Sequence, residues 1–326
     1  MPGYYAGKTV LITGGTGSIG SIIAEHVLSL MPKQLRIYSR DETKQHELAE
    51  KLSGDHAYGD KIAETCIAHK QYIMEETRSV RFTINDFFDR ARFLIGDVRD
   101  YERLCLAMRG VDVVFHCAAM KHVSSCEYNP FEAVQTNVGG TQNVINAAVR
   151  NKVGRVVAIS TDKAVNPVNV MGATKLLAEK LITSANNWTK DGLFACIRLG
   201  NVLGSRGSLV PVVVERIRRG LPIHITDKNM TRYFVTPRDV AVKCLALGAY
   251  MTPGQVLVPQ LKSARIIDVI DALVRKYGPA EIVEVGMKPG EKMHEQLKPD
   301  GPFSNEVPLM TVDEIDSMLS EPSISE

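Results

Sequence analysis

The sequence predicts an α/β protein in which a doubly wound parallel sheet is joined to a smaller C-terminal α/β lobe. Short apolar runs alternate with longer helical patterns through the first 160 residues. A glycine-rich turn connects the first apolar run to the first helical pattern, and beyond about residue 196 the order becomes less regular. Strand–helix alternation opened by such a turn is typical of the Rossmann arrangement, where helices cover both faces of the sheet.

Five near-continuous apolar runs supply the predicted strands, because strands buried on both faces have no polar side. They are KTVLIT (8–13), LRIYS (35–39), RFLIGD (92–97), VDVVFHCAA (111–119) and RVVAIS (155–160). Helical patterns lie between them at 21–30, where Pro32 ends the helix, and at 137–150. We therefore assign residues 1–195 to the sheet domain.

The less regular second half forms the predicted lobe, at about 196–298. A strand-like run at 193–202 leads into GSRGS (204–208), a basic helix and the strand-like runs HITD, TRYFVT and QVLVPQ. The segment 263–278 follows, with apolar residues at helical spacing and Ser263 as the predicted N-cap. These segments interleave with the end of the sheet, so the boundary between the two parts is soft.

Two segments fall outside this alternation. Charged helical stretches fill most of an insertion at about 45–91, which is longer than an ordinary crossover. A surface helical hairpin, an oligomer contact and an active-site lid are its three interpretations. Residues 299–326 carry acidic side chains and no lysine or arginine, which predicts a mobile or docked acidic tail.

Charge and composition exclude several classes of protein. A net charge of +2 without a strongly basic stretch argues against nucleic acid as the main partner. Glycine and lysine interrupt the N-terminus from Gly3 onward and no 18-residue apolar run follows, so we expect no signal peptide, no membrane span and a cytoplasmic location. The six cysteines show no CxxC and no metal-ligand spacing, so we expect no metal site.

The turn TGGTGSIG (13–20) predicts a phosphate-binding loop. Gly14, Gly17 and Gly20 follow a predicted strand and open a predicted helix, which is the context of the dinucleotide fingerprint. Unpaired N–H groups and the partial positive charge of the helix N-terminus then face the phosphates. The expected cofactor contacts in this loop are Gly14, Thr16, Gly17, Ser18, Ile19 and Gly20.

The end of the second strand favours NADP over NAD. An NAD enzyme places an acidic side chain about 20 residues after the glycines, to accept a hydrogen bond from the ribose 2′-hydroxyl. Ser39 occupies that strand end, Arg40 follows it and Lys44 lies one turn further on, while Asp41 lies beyond the expected position. A hydroxyl and a guanidinium suit a 2′-phosphate, so we predict NADP as the cofactor.

The third strand ends at Asp97, where a carboxylate could accept a hydrogen bond from the adenine amino group. A helix cap is the alternative role for Asp97. The remaining expected cofactor contacts are Val98, Ala118, Ala119 and Lys175.

The stretch STDKAVNPVNVMGATK (160–175) holds the candidate proton-transfer groups. Thr161, Asp162 and Lys163 follow the fifth strand directly, so they emerge at the carboxyl end of the sheet, where ligands bind in such folds. Met171 and Lys175 share one face of the next helix. Many nicotinamide enzymes have an aromatic hydroxyl at the position of Met171, and a thioether transfers no proton. Either the chemistry is lost, or Asp162 and Lys163 carry it.

On these residues the chain resembles the extended short-chain dehydrogenase/reductases, and more closely the UDP-N-acetylglucosamine 4,6-dehydratases. The resemblance runs from about residue 8 to 293 and is interrupted by the insertion. The matching segments are TGGTGSIG, YSRDETKQ, GDVRD, HCAAMKHV, STDKAVNPVNVMGATK, GNVLGSRGSLVP, ITDKNMTRYFVT and KPGEK.

The resemblance implies catalytic roles. Thr161 matches the superfamily's catalytic hydroxyl, and Lys175 matches the lysine that binds the nicotinamide ribose. Asp162 and Lys163 match the acid/base pair of the dehydratases. Met171 replaces the superfamily's tyrosine, as it does in some members of this group, so the substitution does not imply a dead enzyme.

The implied reaction is an internal redox cycle that serves glycan biosynthesis. NADP⁺ takes hydride from C4 of the sugar, the C5 proton becomes removable, water leaves from C6, and the hydride returns to C6. Lys163 is the predicted base at C5 and Asp162 the predicted acid at C6. Asp162 is also the candidate for the C4 proton, with Thr161 as a relay.

The resemblance also implies substrate contacts. Asn201 resembles the family's asparagine for the nucleotide sugar, and Arg206 and Arg232 are candidates for the diphosphate, since a planar guanidinium matches phosphate oxygens. The further candidates are Lys121 and His122 near the sugar, Ser208, and Glu291 at the uridine ribose. Short family members without membrane helices typically invert C5, so inversion is expected, and a homo-oligomer, dimer or hexamer, is suggested.

Two other functions remain open. A nucleotide-sugar 4-epimerase of the same fold exchanges hydride at C4 but needs no acid at C6, so the Asp162–Lys163 pair argues against it. A non-catalytic NADP-binding regulator is favoured by Met171 alone.

Overall fold

A computed structural model describes residues 2–53, 89–321 and 324 of the chain. The strands, in chain order, are Thr9–Thr13 (β1), Gln34–Ser39 (β2), Ala91–Ile95 (β3), Val113–His116 (β4), Arg155–Thr161 (β5), Leu193–Leu199 (β6), Asn201–Val202 (β7), Ile223–Ile225 (β8), Thr231–Val235 (β9), Val256–Leu257 (β10), Lys262–Arg265 (β11) and Ile282–Glu284 (β12). The main sheet has the order β10-β6-β5-β4-β1-β2-β3, with every neighbouring pair parallel. The predicted doubly wound α/β class is confirmed.

Helices cover both faces of this sheet, and three further helices belong to the C-terminal lobe. In chain order the helices are Pro2–Tyr5 (α1), Ser18–Ser29 (α2), Glu42–Ser53 (α3), Tyr101–Ala107 (α4), Val123–Tyr128 (α5), Pro130–Ala133 (α6), Gly140–Arg150 (α7), Val170–Ser184 (α8), Leu209–Arg218 (α9), Pro237–Tyr250 (α10), Ile266–Tyr277 (α11) and Val312–Leu319 (α12), of which α9, α11 and α12 lie in the lobe. A π-helical turn at Val134–Gly139 precedes α7, and a 3₁₀ turn at Asp162–Ala164 follows β5.

The two helical layers follow from the alternation of side chains along each strand. In β1, Val10 and Ile12 pack with α2 and α10 on one face, while Leu11 packs with α4 and α7 on the other. Successive strand residues point to opposite faces, so both faces of an all-apolar strand need a helical cover. The near-continuous apolar runs of the sequence have this origin.

The strand register gathers the site loops at one edge of the sheet. Thr13 at the end of β1 lies opposite His116 at the end of β4, and β5 continues three residues beyond the partner of His116. Because these strands are parallel, the loops that follow β1 to β6 leave the sheet at the same edge. Every segment singled out as phosphate loop, cofactor contact or proton-transfer group lies there.

The C-terminal lobe is built on two small sheets. One has the order β11-β9-β7 and the other pairs β12 with β8. Helices α9, α11 and α12 close its core through Ile217, Ile270 and Ile315, among others. β7 begins directly after β6, and β10 returns to the main sheet, so the lobe is interleaved with the sheet.

The prediction that Ser263 caps a helix is wrong. Ser263 lies inside β11, fully buried, and its hydroxyl donates to the Ser304 carbonyl at 2.6 Å. Helix α11 starts three residues later, and Arg265 stands at its N-cap position without a side-chain capping bond. Pairing with β9 determines the conformation of this segment. The preference of serine for the helix N-cap is local and carries no information about such pairing.

The acidic C-terminal segment is docked over the residues that the structure describes. Helix α12 starts with a capping box in which Thr311 and Glu314 satisfy each other's backbone N–H groups. Its Ile315 and Leu319 are buried in the core of the lobe. Most of the insertion at 45–91 lies outside the described residues, apart from α3 and the residues from 89 onward. Among the described helices, none combines the length and apolar character that crossing a bilayer requires.

Candidate active site

The phosphate loop folds as its glycines require. Gly14 has a positive φ of 65°, and a Cβ there would lie 2.7 Å from the Ala118 backbone. A Cβ on Gly20 would lie 2.4 Å from the Gly14 carbonyl oxygen. Helix α2 starts directly after Gly17, and no side chain caps its N-terminus. The first backbone N–H groups of the helix are therefore available to bind an anion.

Arg206 reaches from the second lobe onto this loop. Its backbone N–H donates to the Ser18 hydroxyl at 3.0 Å, and its guanidinium donates to the Thr16 carbonyl. The Lys121 ammonium donates to the Arg206 carbonyl at 2.7 Å. Burial and the neighbouring Arg206 charge lower the pKa of Lys121. Two residues expected at the substrate are thus brought to the loop expected to hold cofactor phosphates.

Three residues were expected at a 2′-phosphate, and they have different surroundings. Ser39 is buried, and its hydroxyl accepts a hydrogen bond from Gln45 at 3.1 Å. The Lys44 ammonium pairs with Asp41 at 2.5 Å, and this hydrogen bond lowers the pKa of Asp41. The side chain of Arg40 is 60% exposed, which leaves its guanidinium open to an incoming ligand.

Asp97 is held by arginines and does not cap a helix. Its carboxylate accepts hydrogen bonds from the Arg99 backbone at 2.9 Å and side chain at 2.8 Å, and Arg40 lies at 3.4 Å. Burial works to raise the pKa of Asp97, but the arginines outweigh it and the pKa is lowered. Helix α4 is capped by Asp100 instead, whose side chain accepts from the Arg103 N–H.

The proton-transfer candidates form one connected cluster at the end of β5. The Asp162 carboxylate is fully buried, and its Oδ1 accepts from the Thr161 hydroxyl at 2.8 Å and from the Lys163 ammonium at 3.0 Å. The same ammonium donates to the Asn201 amide oxygen at 3.3 Å. Asp162 Oδ2 has no hydrogen-bond partner among the described residues. A buried carboxylate oxygen without a donor is destabilising, so this oxygen has an unused capacity to accept a hydrogen bond.

Met171 and Lys175 lie one turn apart on α8 in unlike surroundings. Met171 is buried beside Cys126 and Ala133, where a thioether fills space. Lys175 donates to the Ile159 carbonyl at 2.5 Å, and burial lowers its pKa.

Two substrate candidates of the second lobe, Arg232 and Glu291, make hydrogen bonds within that lobe. The Arg232 guanidinium is buried and donates to the backbone carbonyls of Thr231, Lys292 and Met293 at 2.7, 2.8 and 3.0 Å. To bind a diphosphate it would have to exchange carbonyl oxygens for phosphate oxygens, and that role stays a prediction. Glu291 accepts from the Thr226 hydroxyl at 2.9 Å.

His122 and Ser208 face each other's loops. The His122 ring lies so close to Gly207 that a Cβ there would be 2.7 Å from Cε1. Ser208 stands at the N-cap of α9 without making a capping bond, and its buried hydroxyl has no partner among the described residues. The substrate roles expected of His122 and Ser208 stay predictions.

Sequence reasoning missed two buried residues that shape the site. Asn137, in the π-helical turn, accepts from the Met120 N–H at 2.8 Å and donates to the Thr174 hydroxyl at 3.0 Å. It thereby ties the loop after β4 to α8. The glycine pair 139–140 inside a helical pattern was the available signal, since π-turns mark functional sites. Glu295 lies 3.7 Å from the Lys163 ammonium, and nothing in its local sequence signals this.

His116 is a structural histidine at the end of β4. Its ring nitrogens bond the hydroxyls of Thr13 at 2.7 Å and Thr141 at 3.0 Å. Burial, with a smaller effect of Lys175, lowers its pKa to about 3, so the ring stays neutral.

Comparison with known proteins assigns the family. A family model described as polysaccharide biosynthesis protein matches residues 10–69 and 62–312. The chain belongs to this family. Relatives in it include an uncharacterized membrane protein of Methanocaldococcus jannaschii, which is 41% identical over 90% of this chain and 81% of its own length.

Two further groups of relatives have named activities. A UDP-N-acetylglucosamine 4,6-dehydratase (inverting) of Campylobacter jejuni is 40% identical over 89% of this chain and 77% of its own. A UDP-glucose 4-epimerase of Rickettsia akari is 36% identical over 90% and 78%. Among solved structures, Pen from Bacillus thuringiensis superposes with a TM-score of 0.82 at 34% identity, covering 97% of this chain and 98% of that one. The resemblance proposed from the sequence motifs is confirmed at the level of the family.

Proposed function

We propose that the protein is an NADP-dependent UDP-N-acetylglucosamine 4,6-dehydratase. The observation that carries this proposal is the contact between Asp162 and Lys163 at the end of β5, at 3.0 Å, with Asn201 beside them. A 4,6-dehydration needs a base that takes the C5 proton and an acid that protonates the departing C6 hydroxyl. A carboxylate in contact with an amine provides both. The dehydratases among the relatives of this chain support the choice.

The phosphate loop fits a dinucleotide. A Cβ at Gly14 or Gly20 would collide with the Ala118 backbone or the Gly14 carbonyl, so these glycines allow the tight turn that directs the first N–H groups of α2 at a phosphate. A bound nicotinamide dinucleotide supplies the acceptor and donor of the hydride. Arg206 lies on this loop, so we assign its guanidinium to the cofactor pyrophosphate as well as to the substrate side. The exposed Arg40 favours NADP, because its pair with Asp97 at 3.4 Å is screened by solvent and can be exchanged for a 2′-phosphate at little cost.

We assign each proton transfer to a side chain of the cluster at the end of β5. Asp162 takes the C4 hydroxyl proton through Oδ2, or through the Thr161 hydroxyl bonded to its Oδ1. Lys163 removes the C5 proton once C4 is a ketone. Asp162 then returns its proton to the departing C6 hydroxyl, and Lys163 returns a proton to C5. Every proton taken from the sugar is either returned or leaves with water, so no external acid or base is consumed.

The direct test is to incubate the protein with NADP⁺ and UDP-N-acetylglucosamine and to measure the mass of the product by mass spectrometry. A dehydratase yields a nucleotide sugar that is one water lighter, without net formation of NADPH. Asp162→Asn is the matched control, because it keeps the shape and removes the proton acceptor. A product of unchanged mass would contradict the proposal.

A 4-epimerase is the second candidate, and the Rickettsia relatives favour it. It would give a product of unchanged mass with the C4 hydroxyl inverted, which proton NMR distinguishes. An NADP-binding regulator would bind cofactor and leave the sugar unaltered. Inversion at C5 and assembly as a dimer or hexamer stay predictions, which coupling constants of the product and light scattering address.

A further inference from the structure

A segment of the second lobe, residues 290–297, lies across the loop that follows β5. The Lys292 ammonium donates to the Val165 carbonyl at 2.7 Å. From the sheet, Arg198 donates to the Leu297 carbonyl at 2.7 Å. This segment, which we name the cover segment, is therefore fixed at one end to the loop after β5 and at the other end to the sheet.

Glu295 is the residue of the cover segment that reaches the catalytic cluster. Its side chain is 3% exposed, and Oε1 lies 3.7 Å from the Lys163 ammonium. Asp162 Oδ1 approaches the same ammonium at 3.0 Å, so Lys163 lies between two buried carboxylates. The backbone of Glu295 is held in turn by Ser304, through Glu295 N–H to the Ser304 hydroxyl at 3.0 Å and Ser304 N–H to the Glu295 carbonyl at 2.8 Å.

The charges around Glu295 come from four residues. Lys163 faces it from the catalytic loop, Asp162 from the end of β5, Arg232 from β9 and Lys292 from the cover segment. Burial raises the pKa of Glu295; the three cations oppose this and Asp162 adds to it. Lys292 approaches Oε2 at 3.6 Å, which is an ion-pair distance, so Oε2 makes no hydrogen bond among the described residues.

A role in stability alone explains this arrangement poorly. A buried carboxylate is costly to desolvate, and an ion pair often fails to offset that cost. The cover segment is already fixed by Lys292 and Arg198 through backbone carbonyls, which do not involve the Glu295 carboxylate. Buried ionisable groups beside a catalytic group are typical of functional sites.

We propose that Glu295 is a positioning residue for Lys163, which holds its amino group and stabilises the ammonium that forms when Lys163 takes the C5 proton. This inference rests on the proposed role of Lys163. In that step the C5–H bond breaks, the proton goes to the amine, and the electron pair enters the enolate of the C4 ketone. A carboxylate fixed beside the amine is already in place for the positive charge that develops there.

The charge of Glu295 then has a measurable consequence. It acts on the C5 step, in which Lys163 gains a positive charge, and not on the oxidation of C4, which needs no base at C5. Glu295→Gln should therefore slow C5 exchange and leave C4 oxidation at the wild-type rate.

The experiment measures two rates with the enzyme holding NADP⁺: exchange of the C5 hydrogen of the 4-keto product with deuterated water, and single-turnover formation of bound NADPH from the substrate. Glu295→Gln should slow C5 exchange by about tenfold or more, because a base that is held less well transfers protons more slowly, and should leave NADPH formation unchanged. Glu306→Gln removes an exposed carboxylate near the cover segment and should exchange like the wild type.

A merely structural role for Glu295 would slow both rates, which would overturn the proposal. If Glu295→Gln does not fold, Glu295→Asp decides: it retains the charge one methylene further from Lys163, so C5 exchange should slow while NADPH formation stays at the wild-type rate. Slowing of both rates, or exchange at the wild-type rate, would overturn the inference. A wild-type protein that does not dehydrate the sugar fails the proposed function instead, so the two failures are distinguishable.

Discussion

Replacing Arg40 with alanine tests the cofactor choice in one change. The Arg40 guanidinium is 60% exposed and meets Asp97 at 3.4 Å, an ion pair that is mostly in solvent. Such pairs contribute little, so Arg40 can turn to a 2′-phosphate without an appreciable loss. Asp97 remains held by Arg99 at 2.8 Å whether or not Arg40 is present. The local fold should therefore survive the substitution.

The magnitude follows from the exposure of Arg40. A hydrogen bond to a charged group contributes about 1.5–3 kcal/mol, and solvent screening at an exposed site favours the lower half of that range. A loss of about 1.5–2 kcal/mol raises the Kd for NADP by roughly 10- to 30-fold. NAD has no 2′-phosphate, so its Kd should change by less than about twofold.

Calorimetric titration of both cofactors against wild type, Arg40→Ala and Arg103→Ala provides the assay. Arg103 is a half-buried arginine whose guanidinium donates to the Ile95 carbonyl at 2.9 Å, and its loss should leave both affinities unchanged. Equal weakening of NAD and NADP by Arg40→Ala would refute the reasoning, since the arginine would then not distinguish the 2′-phosphate.

Three further predictions concern the stability of the fold and the assignment of proton transfer. Because the pKa of His116 is about 3 when folded and about 6.5 when unfolded, the unfolded state binds the extra proton between these values. The free energy of unfolding should therefore fall by up to about 1.4 kcal/mol per unit as pH drops below 6.5, and denaturant titrations should show a shallower fall in His116→Gln. Arg198→Leu leaves the buried Glu179 without its cation, so the free energy of unfolding should drop by about 3–5 kcal/mol, with part regained when Glu179→Leu is added. Met171→Ala should retain far more single-turnover dehydration than Lys163→Ala, which should lose about 10²–10⁴-fold, and equal losses would contradict the assignment of proton transfer.

The sheet could be predicted because the patterns that specify its strands and turns lie within short stretches of the sequence. Apolar runs such as 155–160 report burial on both faces, and the glycines of 13–20 report a turn that only small residues permit. Ser263 shows the limit of this reasoning. Its local pattern suits a helix cap, but pairing with the distant β9 makes it part of a strand.

The candidate site divides in the same way. Thr161, Asp162 and Lys163 are adjacent in sequence and follow a recognisable strand, so their proximity could be predicted. Glu295 reaches Lys163 only because the cover segment folds back across the catalytic loop. No spacing rule connects residues so far apart in the chain. The position of Arg206 on the phosphate loop likewise depends on how the second lobe meets the sheet.

The central claim is an internal redox cycle, and one labelling experiment tests it most directly. UDP-N-acetylglucosamine carrying deuterium at C4 is converted in ordinary water by the enzyme with catalytic NADP⁺, and the product is examined by NMR and mass spectrometry. We predict that the deuterium appears at C6 of the same molecule, in a product that has lost one water. Loss of the C4 label to solvent, or its retention at C4 in a product that has lost no water, would contradict it.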